Sequence, residues 1–346
     1  MPTRVTLKQV AAQAGVSYQT VSKVINRQAQ VSKETEERIW RVVQQLGYRP
    51  SHLARSLRSQ RSRTIGYSWP PSPLDQYNPI LDQFLQSLVA AAEEDGYYIL
   101  IFPYQSRDGD PLHEYRELID TGRVDGFILS AVEYDDRRIR LLIERNFPFV
   151  AFGRSNLELD FPYIDVDGGQ GIRAVTEHLL EQGHRRIAAL AWPETSRVGN
   201  NRLEGYLTAM RNAGIPPRPE WIARGEGRYA FGREATLRWL DAPENERITA
   251  IVAVNDAMAI GAMHAIQERG LRVGPDISVT GFDDAPMAQY LSPPLTTLRQ
   301  PVWEIGQRLV KMLLDRLNGK RPAPYRELIA PRLIVRPSSL GWRPND

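Results

Sequence analysis

The chain contains no cysteine. Disulfides, thiolate metal sites and a cysteine nucleophile are therefore excluded. No apolar run approaches the ~18 residues of a membrane-spanning helix. The first ten residues, MPTRVTLKQV, lack the apolar stretch of a secretory signal. These absences point to the cytoplasm and to no membrane partner. Catalytic signatures are also missing: there is no phosphate-binding Walker loop, no GxSxG elbow and no HExxH zinc pattern. Gly225-Glu226-Gly227 is not followed by glycine at the dinucleotide-binding spacing. His52, His113, His178, His184 and His264 show no metal-ligand spacing. No cofactor is expected, and no enzyme. Asp283-Asp284, readable as paired acids of a hydrolase, is the one feature that keeps an enzymatic alternative in view.

What is present is a soluble, two-part composition. The 346 residues, 42% hydrophobic and 25% charged, can build a small domain beside a large one. The net charge of +3 is unevenly placed. Residues 1–63 carry 12 Lys/Arg against only Glu34, Glu36 and Glu37, hence +9, which leaves −6 for the rest. A basic module on a mildly acidic body predicts a polyanionic partner for the first part alone.

Within that module, Thr6 to Asn26 reads as helix, turn, helix. Leu7, Val10, Ala11 and Ala14 fall on one helical face, and Thr6 with Gln9 fits a capping box. Gly15 suits the reversal, since glycine adopts positive φ at little cost. Ser17 can cap a second helix whose inner side is Val21, Val24 and Ile25. Its other side shows Tyr18, Gln19, Ser22, Lys23 and Asn26, none acidic. Such a helix suits the major groove of duplex DNA. A plain helical hairpin is the alternative from this pattern alone. A third helix is predicted over Ser32 to Leu46, with Ile39, Val42, Val43 and Leu46 inward. After it comes a basic segment, Ser51 to Arg58.

Beyond Thr64, apolar runs alternate with helical patterns. The predicted strands are Ile65–Trp69, Tyr97–Phe102, Gly126–Ser130 and Phe147–Gly153, then Ile187–Trp192, Ile248–Asn255 and Ile277–Phe282. Helices are predicted near 79–95, 111–121, 136–145, 169–182, 201–213, 229–240 and 256–269. The fold class is α/β, with two doubly wound parallel-sheet subdomains behind an all-α headpiece. Ligands of such sheets bind at the carboxyl ends of the strands.

Val16-Ser17-Tyr18-Gln19-Thr20-Val21-Ser22-Lys23-Val24-Ile25-Asn26 resembles the headpiece of the lac repressor (LacI/GalR) family. So do Val254 to Met263, Leu271 to Val279, Gly281-Phe282-Asp283-Asp284 and Pro293-Pro294-Leu295-Thr296-Thr297, and the likeness spans nearly the whole chain. It implies a core like the periplasmic sugar-binding proteins, with three crossovers. Domains are then expected at 1–50 (headpiece), 51–62 (hinge) and 63–346 (core). The core's N-subdomain would hold about 63–162 and 292–324, its C-subdomain about 163–291 and 325–346, including a final strand Leu328–Val335. With no leucine-heptad tail before Asp346, a homodimer is expected.

The resemblance also implies roles. Tyr18, Gln19, Ser22 and Lys23 would read base edges, though lysine stands where the family pattern has arginine and lacks its planar fork. Thr6, Ser17, Thr20, Asn26 and Ser32 would cap helices or touch phosphates. His52, Ala54 and Leu57 belong to the hinge, where Ala54 packs hinge on hinge and Leu57 wedges into the minor groove. Too short to be stable alone, the hinge is expected to be helical only on DNA. For a small-molecule effector, Arg202, Asn255 and Asp283 match the arginine, amide and carboxylate, Tyr229 a stacking aromatic, and Ser130 and Gln300 further pocket positions. Trp69, ending the first strand, offers a second platform. Arg154 replaces the family's inducer-binding aspartate, which alters the hydroxyl pattern required or admits an acidic group. From the residues alone, Asp283 and Asn255 could instead cap the helices that follow. The function expected is a nucleoid-bound, sequence-specific repressor of sugar-utilisation genes that binds operator DNA and is released by a sugar. The alternatives are a purine-type co-repressor and a transport solute-binding protein.

Overall fold

Three helices form the N-terminal unit: α1 (Leu7–Ala14), α2 (Tyr18–Ile25) and α3 (Lys33–Leu46). They belong to a computed structural model that describes residues 5–25, 31–48, 61–69, 78–104, 110–155 and 159–343. The chain divides into two units, Met1–Ser62 and Arg63–Asp346.

The local signals of the headpiece act as anticipated. The Thr6 amide donates to Gln9 Oε1 (2.8 Å) and the Gln9 amide to Thr6 Oγ1 (3.4 Å), closing the capping box. Gly15 turns the chain at φ 66°, and its N–H returns to the Ala11 carbonyl. Ser17 Oγ accepts from the Thr20 amide (3.1 Å) and Ser32 Oγ from the Thr35 amide (3.3 Å). Eight-residue helices are unstable in isolation. Here they share one apolar cluster of Val10, Ala11, Ala14, Val21, Val24, Ile39, Val42 and Val43.

The second unit holds two parallel sheets. The first has six strands in the order β11-β5-β4-β3-β1-β2. They are β1 (Thr64–Trp69), β2 (Tyr98–Pro103), β3 (Gly126–Leu129), β4 (Phe149–Phe152), β5 (Tyr163–Val166) and β11 (Arg326–Ile329). Phe127 and Leu129 of β3 face one apolar cluster with Tyr115 and Leu142, while Ile128 faces another with Phe84 and Leu309. This is the two-sided burial that makes parallel strands continuously hydrophobic. Its helices are α4 (Pro79–Glu94), α5 (His113–Asp120), α6 (Arg137–Glu144) and α11 (Val302–Leu317).

The second sheet runs β7-β6-β8-β9: β6 (Ile187–Ala191), β7 (Ile222–Arg224), β8 (Ala250–Ala253) and β9 (Ser278–Thr280). Helices α7 (Gly168–Glu181) and α8 (Arg197–Asn212) pack together, as do α9 (Tyr229–Leu240) and α10 (Asp256–Glu268). An antiparallel pair, β10 (Thr297–Arg299) with β12 (Arg332–Ile334), attaches through bridges Thr280–Thr296 and Asp283–Arg299. The chain thus crosses between the sheets three times: from β5 to α7, from β10 to α11 and from β11 to β12.

Sheet membership shifts the expected subdomain boundaries. Tyr163–Val166 pairs with β4 and belongs to the first sheet, not the second lobe. Thr297–Arg299 goes with the second lobe. Leu328–Val335 is not one strand: Arg326–Ile329 pairs with β5, Arg332–Ile334 pairs with β10, and Pro331, without an N–H to continue a ladder, stands between them. The long helix α11 and the short strands β5, β7 and β10 lie outside the elements predicted from sequence, and β11 meets the predicted Leu328–Val335 strand only at Leu328 and Ile329.

Because Ile39 is fully buried in the headpiece cluster, Ile39→Ala should cost about 2–5 kcal/mol there. Urea denaturation should show an earlier headpiece transition and an unchanged transition for the core. A single unshifted curve would contradict this picture.

Candidate ligand cleft and DNA-reading helix

On α2, Tyr18, Gln19 and Lys23 are exposed, Tyr18 to 48%. No acidic residue occupies the first turn. Ser22, expected on the same face, is buried, with 5% of its surface accessible. Its position falls between Val21 and Val24 against the cluster, so it is removed from the reading set. Thr20 is half-buried and its hydroxyl meets Ser17 Oγ at 2.8 Å. Thr6 and Ser17 are occupied as caps. Asn26, His52, Ala54 and Leu57, and with them the hinge, lie outside the described residues. The donor surface is therefore Tyr18, Gln19 and Lys23.

In the second unit a cleft of ≈ 660 Å³ opens where both sheets end. Its walls come from the residues just after β3, β4, β6, β8 and β9, together with the start of α4. Arg202 on α8 is its centre. The guanidinium is buried, donates from Nη1 to the Val254 carbonyl at 2.6 Å, and lies 3.9 Å from Asp283 Oδ1. Its carbon sits 3.6 Å from the Phe282 ring centroid and 5.1 Å from that of Trp192. Burial pushes its pKa down, and Asp283 is the first of the charges pulling it back up. The Asp283 carboxyl is held at positive φ (130°) and accepts from Gln300 Nε2 at 2.7 Å. Burial raises its pKa, and the charge of Asp256 adds to this, while Arg202 and Gln300 act against it.

Among the described residues, two donors buried in this cleft, Trp192 Nε1 and Arg202 Nε, meet no acceptor. Buried donors without partners are rare, so an acceptor-bearing ligand is the natural partner. Asn255 plays a different part. Its Oδ1 caps α10 through the Met258 amide (3.0 Å), and its Nδ2 donates to the Gly227 carbonyl (2.8 Å). A Cβ at Gly227 would collide with Trp192 Nε1 and press on Asn255 Nδ2, so only glycine fits beneath them.

The lobes are tied across the cleft mouth by carboxylates of the first lobe. Asp165, at the end of β5, accepts from Arg154 Nε (2.7 Å) and, across the cleft, from Arg197 Nη2 (3.1 Å). Glu133 accepts from the Arg197 amide (2.6 Å) and Ser196 Oγ (3.1 Å), lying on the N-terminus of α8. Burial raises the pKa of Glu133; the Arg197 amide leads the groups opposing that rise.

Residues 6–51 match the model of bacterial regulatory proteins of the lacI family, and 176–339 match a periplasmic binding protein-like domain. Over 335 residues the chain is 35% identical to the HTH-type transcriptional repressor PurR of Photorhabdus laumondii, with 96% of each covered. The chain belongs to the lacI family. The lac repressor dimer bound to operator and the anti-inducer ONPF is 31% identical with a TM-score of 0.85, over 98% of this chain and 100% of that one. A transcriptional regulator CelR–cellobiose complex is 32% identical with a TM-score of 0.72, over 97% and 100%. The α/β fold, the helix-turn-helix headpiece and the class, a DNA-binding transcriptional repressor, follow from these likenesses. No described helix is long and apolar enough to cross a membrane.

In this lacI-family repressor, Arg202, Asn255, Asp283 and Gln300 line the cleft. Four other expected effector residues do not. Ser130 is buried beneath the floor, bonded to Tyr67 Oη at 2.9 Å. Trp69 packs edge-on against Tyr67. Arg154 donates from Nε to Asp165 and from Nη2 to Asn201 Oδ1 (3.5 Å) rather than lining the cleft. Tyr229 is 40% exposed and bonds His264 Nδ1 at 2.9 Å, because its side chain turns along α10. The aromatic wall is instead Trp192 with Phe152. Trp192 was legible as a strand-ending aromatic. Asp165, Arg197 and Glu133 gave no signal in sequence.

Removing both α8 acceptors by Glu133→Ala should expose the Arg197 amide. A hydrogen bond to a charged group is worth about 1.5–3 kcal/mol, so hydrogen exchange at the start of α8 should accelerate roughly tenfold or more. Unchanged exchange would show that Glu133 does not fasten the lobes.

Proposed function

We propose that this repressor binds a pseudo-palindromic operator as a homodimer and is released by a sugar held in the cleft. The observation that carries the reading is the polar set Arg202, Asp283 and Gln300 beside the two unmatched donors, Trp192 Nε1 and Arg202 Nε. A sugar hydroxyl both donates and accepts. It can satisfy those donors with its oxygen and give its hydrogen to the Asp283 carboxylate. The C–H faces of the ring suit the apolar wall of Phe152, Val132 and Trp192. The cellobiose carried by a 32%-identical regulator supports the same ligand class.

Release works by linkage. A ligand that bridges Arg202 and Asp283 in one lobe to the walls of the other stabilises one lobe arrangement. The altered spacing of the two subunits' hinges then weakens operator binding, and operator reciprocally weakens the ligand. Support for the dimer comes from the apolar side chains left exposed on the core, Tyr98, Ile101, Met287 and Tyr290, the last 74% accessible. The lac repressor structure aligned above is a dimer on its operator. A second ligand reading, a planar purine-type co-repressor, is favoured by the apolar share of the cleft wall. It predicts tighter DNA binding with ligand, the opposite sign.

Thermal-shift screening against mono- and disaccharides, cellobiose included, and purine bases decides between the two. A sugar should raise Tm and weaken the operator complex in gel shifts; stabilisation by purines alone, with tighter DNA binding, would replace the proposal. Arg202→Ala should abolish the shift, and an undiminished one would misplace the pocket. Gln19→Ala should cost about 1–3 kcal/mol at its contacted base pair and relax selectivity there. The ligand-induced Tm shift should stay intact in that variant.

A further inference from the structure

The second sheet has another end, opposite the cleft. There β6, β8 and β9 begin, and a cavity of ≈ 920 Å³ lies against their starts. Arg185, Arg186, Arg247 and Arg343 line it, with Trp342 and Thr249. The sequence makes this concentration unexpected, since residues 64–346 carry a net −6. Among the described residues, none of the four arginines meets a carboxylate. Asp276 on the rim is already taken by Arg272 at 2.6 Å; the remaining acid, Glu244, is exposed.

The guanidiniums are held but not saturated. Arg185 Nη1 donates to the Leu180 and His184 carbonyls (2.9 and 3.0 Å), and Arg186 Nε to the Arg247 carbonyl (2.6 Å). Arg247 Nη2 makes one long bond, 3.4 Å, to the Ala242 carbonyl, and Arg247 Nε is buried with no acceptor among the described residues. Each fork therefore keeps donors free. Beside them Trp342 is stacked on His184, with ring centroids 4.0 Å apart at 30°. His184 is pinned by Thr249 Oγ1 (2.9 Å) and Ser278 Oγ (3.1 Å), and burial keeps it neutral, its pKa pushed down to about 3.

We propose that this cavity is a second ligand site, one that takes a phosphorylated small metabolite. Guanidinium forks match phosphate oxygens two at a time, and four of them that meet no carboxylate among the described residues call for a dianion rather than a neutral sugar. A volume of ≈ 920 Å³ exceeds what an inorganic ion fills and is at the upper end for small-molecule pockets. The site therefore takes an organic ester, its phosphate on Arg186 and Arg247 and its carbon skeleton toward Trp342. Nothing in this assignment depends on what occupies the cleft.

The test is calorimetric titration of the full chain at fixed ionic strength, using glucose 6-phosphate, inorganic phosphate and glucose as probes. Glucose 6-phosphate should bind saturably with Kd below ~1 mM, and inorganic phosphate more weakly. Both Arg343→Glu, on the exposed rim, and the double variant Arg186→Ala/Arg247→Ala should weaken glucose 6-phosphate at least tenfold. Arg202→Ala, in the cleft, should leave it unchanged. Any glucose binding should be indifferent to Arg343→Glu. The proposal falls if neither phosphate probe binds saturably, if binding survives the arginine substitutions, or if it is lost with Arg202. Equal affinity for inorganic phosphate would overturn the organic-ester assignment.

Discussion

A guanidinium taken out of water must be compensated on every side, and Arg202 sets that requirement for the cleft lobe. Its partners come from three different strand ends. Val254 supplies a carbonyl after β8, Phe282 and Asp283 supply a ring face and a charge after β9, and Trp192 supplies a second ring after β6. The three strand ends are far apart in sequence, so the sheet must be in register before the charge is stable. The residual donor, Nε, has no partner among the described residues. Stability and ligand demand thus share one side chain. The same group that locks the strand ends together leaves one bond for something else to make.

The other lobe answers with carboxylates. Asp165 sits between Arg154 of its own lobe and Arg197 of the opposite one, and Glu133 lies on the first turn of α8. A negative group at a helix N-terminus is favoured by the free amides and the dipole there. The Asp165–Arg197 pair is buried, so removing either partner would leave an uncompensated charge between the lobes.

How much of this was readable depended on whether a residue's role was local. The headpiece was nearly transparent, because capping box, αL glycine and 3.6-residue periodicity act within a few positions of Thr6, Gly15 and Ile39. The continuously apolar strands were likewise plain. The strands β5, β7 and β10 break their apolar character with Asp165, Arg224 and Arg299, so no apolar run marks them. α11 carries an apolar stripe, Val302, Ile305, Leu309 and Leu313, that makes it legible as a helix. The resemblance brought Arg202, Asn255, Asp283 and Gln300 to the cleft, yet it could not say which way Tyr229 or Arg154 would turn. Tyr229 met His264 and Arg154 met Asp165, partners 35 and 11 residues away. Ser22 shows the same limit within a single helix: a polar residue at a partly inward angle can be buried as readily as displayed.

The two units also divide the chemistry of the chain by charge. The headpiece is +9 over its first 63 residues and exposes no acid on the first turn of α2, while the remainder is −6. Cation-rich surface on a small unit gives affinity for any duplex, falling steeply with salt. On the proposed reading, sequence choice comes from very few side chains, Tyr18, Gln19 and Lys23. Lys23 offers a point charge where a planar fork would fix a guanine, so Gln19, able to bond adenine N6 and N7 together, would carry the greater share of discrimination. With so few readers per subunit, the proposed homodimer would gain its selectivity from two copies acting together. In the proposed mechanism, a coupling that alters how those copies are spaced controls DNA binding without touching a single base contact.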